Sequence, residues 1–165
     1  MIGMRQLEGT MARPKGVMHQ VTVTVTRDGQ DGLSFTPHSD LWSERHGHFA
    51  FDKAGHHMRP QDYHLVEFAL DDRTGDSLSF PTVPHDAMWV AKVEDPEHPT
   101  CPNEGTQSNY DVVEPICVCD DGHRLIVRND DSREEHWSFT LNLKKGDGEA
   151  VSWDPIIKNG GNGGE

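Results

Sequence analysis

Apolar and polar side chains alternate at every second position in several short stretches of the chain. Residues 21–26 alternate valine with threonine, and residues 136–143 alternate large apolar side chains with His, Ser, Thr and Asn. A period of two in β-branched and aromatic residues predicts strands with one buried face. Further strands are predicted at 33–36, 49–51, 64–70, 77–80, 87–93, 112–119 and 124–128.

Turn residues separate these stretches and predict how the strands connect. Pro37 should end the strand at 33–36, because proline cannot donate to a strand ladder. Residues 71–76 (DDRTGD) predict a hairpin turn that returns through 77–80. Residues 120–123 (DDGH) join the clearest hairpin. In the stretch 87–93 we expect Trp89, Ala91 and Val93 to point inward.

The pattern predicts an all-β fold. About seven or eight short strands, with no segment of helical period, favour a two-sheet antiparallel β-sandwich of the immunoglobulin or cupredoxin kind. The 165 residues fit one domain, which we assign to residues 18–158. Residues 1–17 are expected to be disordered, with Met11 or Met18 as possible true starts, and residues 159–165 should form a flexible tail.

Charge limits the classes of partner. The chain has 15 Lys and Arg against 28 Asp and Glu, a formal net charge of −13. Such a chain repels phosphate backbones and anionic membranes, so neither nucleic acid nor a membrane is an expected partner. No apolar run is long enough to span a bilayer. The charge favours solubility first, and an attraction for cations or a basic partner second.

The three cysteines predict no disulfide framework. Cys101, Cys117 and Cys119 are an odd number with no characteristic spacing. Cys117 and Cys119 would lie about 6.6 Å apart on one strand face, near the upper limit for a disulfide. Reduced thiols predict a cytoplasmic location.

Histidine is unusually abundant, with 11 residues, and several lie in the irregular stretch 37–62. His46, His48, His56 and His57 could supply imidazole ligands to zinc or copper. No carboxylate or cysteine completes a known ligand spacing, so solvated loop histidines are the favoured interpretation.

Cys117, Cys119 and His123 form a second candidate metal set, on one predicted hairpin. A thiolate and an imidazole on a hairpin resemble the copper sites of cupredoxins, but no Met follows His123. The alternative is that Cys117 and Cys119 are small buried apolar residues. We assign no cofactor on this evidence.

No catalytic set is assigned from the sequence. The chain contains no G-x-S-x-G motif, and paired aspartates such as Asp71-Asp72 lie at predicted turns, where aspartate is common for structural reasons. A hydrolase with an unrecognised site remains a third reading, which a histidine bonded to both a serine and a carboxylate would favour. Trp42 and Trp153 lie in or beside loops and could mark a partner surface.

The C-terminal third carries a resemblance to a known family. Residues 122–161 include Arg128-Asn129-Asp130, the aromatic strand WSFTLNL and the closing segment 153–159 (WDPIIKN). Together with Asp154-Pro155 and Glu114-Pro115, they resemble the DP-EP family of small bacterial proteins. The resemblance implies a sandwich of the immunoglobulin or cupredoxin kind and implies no activity. From the residues alone, Pro155 and the two isoleucines that follow it predict a structural latch.

These observations together predict a non-enzymatic β-sandwich with an interaction or structural role. A transition-metal-binding module is the alternative. A sandwich leaves sheet edges that can pair with another chain, so a homo-oligomer is expected if the uncharged strand 21–26 lies at an edge.

Overall fold

The computed structural model describes residues 13–29, 32–94, 102 and 110–161. In these residues the chain is nearly all β, which confirms the predicted sandwich. It contains one 3-10 turn, Ala54–His56, and one short helical turn, Pro84–Ala87. The eleven strands are β1 (Gly16–Asp28), β2 (Gly32–His38), β3 (Trp42–Ser43), β4 (His48–Phe51), β5 (Tyr63–Asp72), β6 (Met88–Lys92), β7 (Val113–Cys119), β8 (Arg124–Asn129), β9 (Glu134–Lys144), β10 (Ala150–Trp153) and β11 (Ile156–Gly160).

Two sheets pack face to face. The first has the order β2-β1-β5-β8-β7, and the second has the order β10-β9-β11-β4-β3, with β6 also paired to β9. Most neighbours are antiparallel, but β1 pairs with β5 and β4 with β11 in parallel. The expectation of a purely antiparallel sandwich is therefore wrong at these two pairs. Each is joined by a chain that crosses between the sheets instead of turning back as a hairpin.

The core lies between the sheets and follows the predicted alternation. The three valines of β1 are buried, as are Trp137, Phe139, Leu141 and Leu143 of β9. The opposite face of β9 is not fully exposed to solvent, because its residues Ser138 and Thr140 are also buried. Thr140 Oγ1 lies 2.8 Å from the carbonyl oxygen of Pro102 and 2.6 Å from Asp154 Oδ1, and its single proton can serve either acceptor, so the second face of β9 is covered near the closing segment.

The closing segment is anchored through Asp154 and one of its two isoleucines, Ile157, while Ile156 is only half-buried. Asp154 is held by Thr140 at 2.6 Å, and Ile157 is 3% exposed in the core. Trp42 and Trp153 also pack against this core, and Trp153 stacks on Phe35 at 5.8 Å between ring centroids. The two tryptophans therefore contribute to packing.

The predicted phase of β6 is wrong at Trp89 and Ala91, although Val93, just after the strand, is buried as predicted. Met88 and Val90 are fully buried, whereas Trp89 and Ala91 are only half-buried. Residues directly opposite in a sheet share a face, and Met88 and Val90 stand opposite the inward residues Leu141 and Phe139. The pairing with β9 decides the phase, and the size of the tryptophan does not.

Two further predictions about the path of the chain are wrong. Pro37 does not end β2, because it lies within the strand opposite Val23. β2 is an outer strand of its sheet, the kind of strand in which proline is tolerated. Residues 77–80 do not return along β5. Ser79 instead exchanges backbone hydrogen bonds with Lys144 of β9, so the chain crosses to the other sheet.

The predicted ends of the domain need correction. The strand β1 starts at Gly16, inside the segment 1–17 that was expected to be disordered; residues 1–12 lie outside the described residues. At the other end, β11 includes Asn159 and Gly160, and the Asn159 side chain is fully buried. The predicted tail therefore cannot begin at residue 159, and residues 162–165 are not described.

The strand 21–26 is not a sheet edge. It belongs to β1, which is hydrogen-bonded to β2 on one side and to β5 on the other. The condition on which the predicted oligomer contact rested is not met. Nowhere in the described parts of the chain is a helix long and apolar enough to cross a membrane.

Candidate functional site: a histidine pocket backed by a buried carboxylate

The four loop histidines predicted as metal ligands do not converge. His46 and His48 stack on each other, with ring centroids 5.2 Å apart and planes at 9°. His56 contacts a different group of rings, those of His19 and His64. His57 ends the 3-10 turn in a left-handed conformation, with φ of 56°. The described residues therefore contain two separate histidine clusters, an outer one around His46 and an inner one of His19, His56 and His64.

The outer cluster comprises His46, His48 and His136. Its stacked rings do not suit a shared metal ion, because an imidazole lone pair lies in its ring plane and two parallel planes do not converge. Burial is the main cause that lowers the pKa of both His48 and His136, and the charge of Lys158 lowers both further. A lysine at this position also repels a metal cation.

The hairpin set Cys117, Cys119 and His123 forms no three-ligand group either. Cys117 is exposed and Cys119 is half-buried, so the prediction of two buried apolar residues is wrong. An irregular register between Pro115 and Cys117 turns this part of β7 outward. Both thiols are free, and burial together with the neighbouring Cys117 raises the pKa of Cys119.

His123 in this set is oriented by the turn. Its Nδ1 donates to the carbonyl oxygen of Asp120 at 2.8 Å. Within residues 13–29, 32–94, 102 and 110–161, no three His, Cys, Asp or Glu side chains are placed to hold a metal ion. Cys101 lies outside this part of the chain.

The inner cluster contains a continuous line of hydrogen bonds that starts at a buried carboxylate. His64 and Asp131 are both 0% exposed, and His64 Nε2 lies 3.0 Å from Asp131 Oδ2. The other ring nitrogen of His64, Nδ1, lies 2.8 Å from His19 Nε2. Because a carboxylate only accepts, the Nε2 proton of His64 must point at Asp131. With one proton on the His64 ring, Nδ1 accepts from His19.

Strand pairing explains how these residues meet. His19 continues the inward phase of the β1 valines, and His64 continues the inward phase of Val66 and Phe68 on β5. In the parallel β1–β5 register, His64 stands opposite Val17 and His19 opposite Val66. The two histidines are therefore diagonal neighbours on the inner face of one sheet.

Asp131 is held by the ends of the strands around it. It lies after β8 with φ of 46°, and its backbone N–H donates to Asn129 Oδ1. Asn129 and Asn159 exchange two side-chain hydrogen bonds, of 2.7 and 3.0 Å, in the interior. The Gly161 N–H donates to Asp131 Oδ1 at 2.8 Å. The carboxylate is thus fixed on both oxygens.

Buried Lys53 lies near the same carboxylate. Its Nζ donates to the carbonyl oxygen of Pro60 at 2.7 Å. Burial lowers the pKa of Lys53, while the charges of Asp131, Asp130 and Asp62 act to raise it. The lysine therefore places a cationic side chain near the buried Asp131 carboxylate, in addition to the hydrogen bonds from His64 and Gly161.

The line of hydrogen bonds ends in an open pocket of about 350 Å³. His19 and His56 form part of its wall, with ring centroids 4.7 Å apart. His56 Nδ1 donates to the carbonyl oxygen of Asp52 at 2.9 Å, and Ser39 Oγ accepts from the Leu41 N–H at 3.1 Å. The complete lining is Met18, His19, Gln20, Ser39, Asp40, Leu41 and His56.

His19 is neutral at neutral pH. Burial, and then the charges of His64 and His56, lower its pKa from 6.5 to about 4. A neutral ring carries one proton, and when the His64 ring also carries one proton, on Nε2, the contact with His64 Nδ1 places the His19 proton on Nε2. The Nδ1 atom of His19 is left as a hydrogen-bond acceptor.

This site was not found from the sequence, although a signal for it existed. His19 stands two residues before Val21, and His64 two residues before Val66, so both lie in phase with buried positions. A histidine on an inward face needs a partner, because burying an unpaired polar group is costly. Asp131 carries no comparable signal in the sequence.

The geometry differs from that expected of a hydrolase. His64 is bonded to a carboxylate and to a histidine, and in the described parts of the chain no serine is hydrogen-bonded to either histidine. No family model matches the sequence, and no curated protein is similar to it.

Proposed function

We propose that this protein is a non-enzymatic binding module and that the His19 pocket is its binding surface. One observation carries the proposal: the polar groups of the pocket wall are oriented from behind by other hydrogen bonds. His19 is held by His64, His56 by the Asp52 carbonyl and Ser39 by the Leu41 N–H. Preorganised polar groups in a concave site are typical of a surface that recognises a ligand.

The arrangement supports binding better than catalysis. A triad needs a nucleophile next to the base, and the line of hydrogen bonds leads from Asp131 to a second histidine instead. The oxygen of Ser39 already accepts from Leu41. The buried carboxylate accordingly serves to orient His19 in this proposal.

The proposal is tested by chemical-shift perturbation in the ¹⁵N-labelled protein, with four capped amino acids as probes: N-acetyl methylamides of lysine, arginine, glutamate and methionine. Saturable shifts of the His19 ring nitrogens and of the Leu41 amide by at least one probe are expected. If none of the four moves these signals, the pocket is not a binding surface of this kind.

The second candidate is a transition-metal-binding module. Its ligands would include His19 and His56, in place of the predicted set of four loop histidines. Each of these rings has one nitrogen bonded to a partner behind it, as metal-ligating histidines usually have. Two imidazoles are fewer than zinc or copper sites require, so further ligands would have to come from outside the described residues. Elemental analysis and thermal shift with ZnCl₂ and CuCl₂ test this candidate.

A homo-oligomer remains part of the proposal, at a different edge from the predicted one. β7 is an outer strand of the first sheet, and its Ile116 is 46% exposed. Exposed edges with apolar side chains invite pairing with a second chain. Light scattering should give a dimer mass that falls to the monomer in Ile116→Lys.

We further propose a cytoplasmic location and no nucleic-acid partner. The free thiols Cys117 and Cys119 support a reducing, cytoplasmic location. The formal charge of −13 opposes nucleic-acid binding. Membership of the DP-EP family stays a prediction.

A further inference from the structure

We infer that the pocket binds the positively charged end of a lysine or arginine side chain from a partner protein. This inference rests on the proposed function and adds the chemistry of the ligand. Some hydrogen-bonding atoms of the pocket are already bonded within the protein. The atoms that remain determine which ligand can bind.

The histidines present acceptors. His19 uses its Nε2–H on His64, and His56 uses its Nδ1–H on the Asp52 carbonyl. With a single proton on each ring, the remaining nitrogens, His19 Nδ1 and His56 Nε2, can only accept. A ligand that brings N–H donors satisfies both.

The other polar groups favour the same kind of ligand. Asp40 is an exposed aspartate in the pocket wall, and an ionised carboxylate accepts only. Gln20 donates one N–H to Glu67 Oε1 at 3.3 Å, and this oxygen also accepts from Arg124, so Glu67 is already paired with a cation. Ser39, whose oxygen accepts from Leu41, is the wall's hydroxyl donor. Acceptors therefore exceed donors, as a cation with several N–H groups requires.

The apolar part of the wall fits the stem of such a side chain. Met18 is 53% exposed and lies beside the buried Leu41 in the lining. Lysine and arginine carry three or four methylene groups that pack on apolar surface while the charged end makes polar contacts. The overall charge of −13 attracts a basic partner over distance.

Anchored histidines make the pocket specific for donors. Without Asp131, the ring proton of His64 could move from Nε2 to Nδ1. His64 Nδ1 would then donate to His19 Nε2, and His19 would carry its own proton on Nδ1 and present an N–H to the pocket. Asp131 and His64 are thus positioning residues that determine which sign of ligand the pocket accepts.

Position 18 offers a matched pair of variants for the test. Met18 is an exposed residue of β1, so Met18→Glu and Met18→Arg should leave the fold intact. Lysine and arginine probes should bind about threefold more tightly to Met18→Glu and about threefold more weakly to Met18→Arg, the size of one unit charge at roughly 6 Å in water. The glutamate probe should not bind to the wild-type protein.

The readout is the ¹⁵N shift of the His19 ring nitrogens together with the Leu41 amide, in titrations of the full chain. Upfield movement of the unprotonated Nδ1 signal on adding the lysine or arginine probe supports the inference. Binding of the glutamate or methionine probe alone overturns it and leaves the proposed binding surface standing. A response to ZnCl₂ alone also overturns it, in favour of the metal candidate. Silence from all probes overturns both proposals.

Discussion

The two histidine clusters use the same side chain in different ways. In the outer cluster, His46 and His48 stack near the surface, and Lys158 lies close to His48 and His136. In the inner cluster, His19 is bonded through His64 to a carboxylate that is itself fixed by a backbone N–H. Only the inner rings have an orientation and a proton position set by the fold.

The difference shows that the abundance of histidine is a poor guide to a site. The sequence draws attention to His46 and His48 of the outer cluster because they are close together in the chain. The inner cluster joins residues 45 and 67 positions apart, and its chemistry depends on what stands behind each ring. A site is defined by the anchoring of its polar groups more than by their number.

The largest expected effect comes from removing the anchor. Asp131→Ala should lower the free energy of unfolding by about 3–5 kcal/mol, because it leaves His64 and the Gly161 N–H without their buried partner. Asp131→Asn, which tolerates the left-handed backbone and keeps one acceptor, should cost about 2 kcal/mol. Urea denaturation followed by tryptophan fluorescence measures both.

Asp130→Ala is the matched control for this pair. Asp130 is more than a third exposed and bonds Arg128 on the surface, so its loss should change the unfolding free energy by about 0.5 kcal/mol or less. Equal effects at positions 130 and 131 would contradict the idea that the inner cluster depends on a buried carboxylate.

A smaller effect is expected at the buried amide pair. Asn159→Ala leaves the Asn129 Nδ2 group without its partner and removes one of the two donors to Asn129 Oδ1, which should cost about 2 kcal/mol in the same denaturation experiment. The neighbouring Lys158→Ala, at an exposed position of the same strand, should cost about 0.5 kcal/mol or less. Similar losses in the two variants would mean that the end of β11 does not support the inner cluster.

The pH dependence of stability should also separate the clusters. The folded pKa of His19 is about 4, below its ordinary value of 6.5. Above pH 6.5 His19 is neutral in both states, and as the pH falls towards 4 the unfolded chain gains the proton first. Stability should therefore fall over this window by about 1–2 kcal/mol from His19, allowing for its partial exposure to solvent.

The control for the pH effect is His19→Gln, which keeps a donor for His64 and does not titrate. His48 and His136 also have lowered pKa values, but they contribute equally to both proteins, so the difference between the two curves isolates His19. Parallel curves from pH 7 to pH 4 would show that His19 is not held neutral by the fold.

The sequence predicted elements better than partners. The inward valines of β1 and the apolar face of β9 follow from a period of two, because one buried face forces that alternation. The phase of β6 and the path of residues 77–80 could not be predicted, since both depend on pairing with β9. The parallel β1–β5 pair has no local signal, and without it nothing brings His19 to His64.

The smallest expected effect lies in the outer cluster. His46→Gln and His48→Gln should each change the unfolding free energy by about 0.5 kcal/mol or less, because water can replace most of the contacts that a stacked surface ring makes. Both variants should also bind the lysine probe with the wild-type affinity, whereas His56→Gln removes a pocket acceptor and should weaken it. Because all three are His→Gln changes at exposed or half-buried rings, the comparison varies only the cluster. A loss of probe binding in His48→Gln would assign recognition to the outer cluster instead.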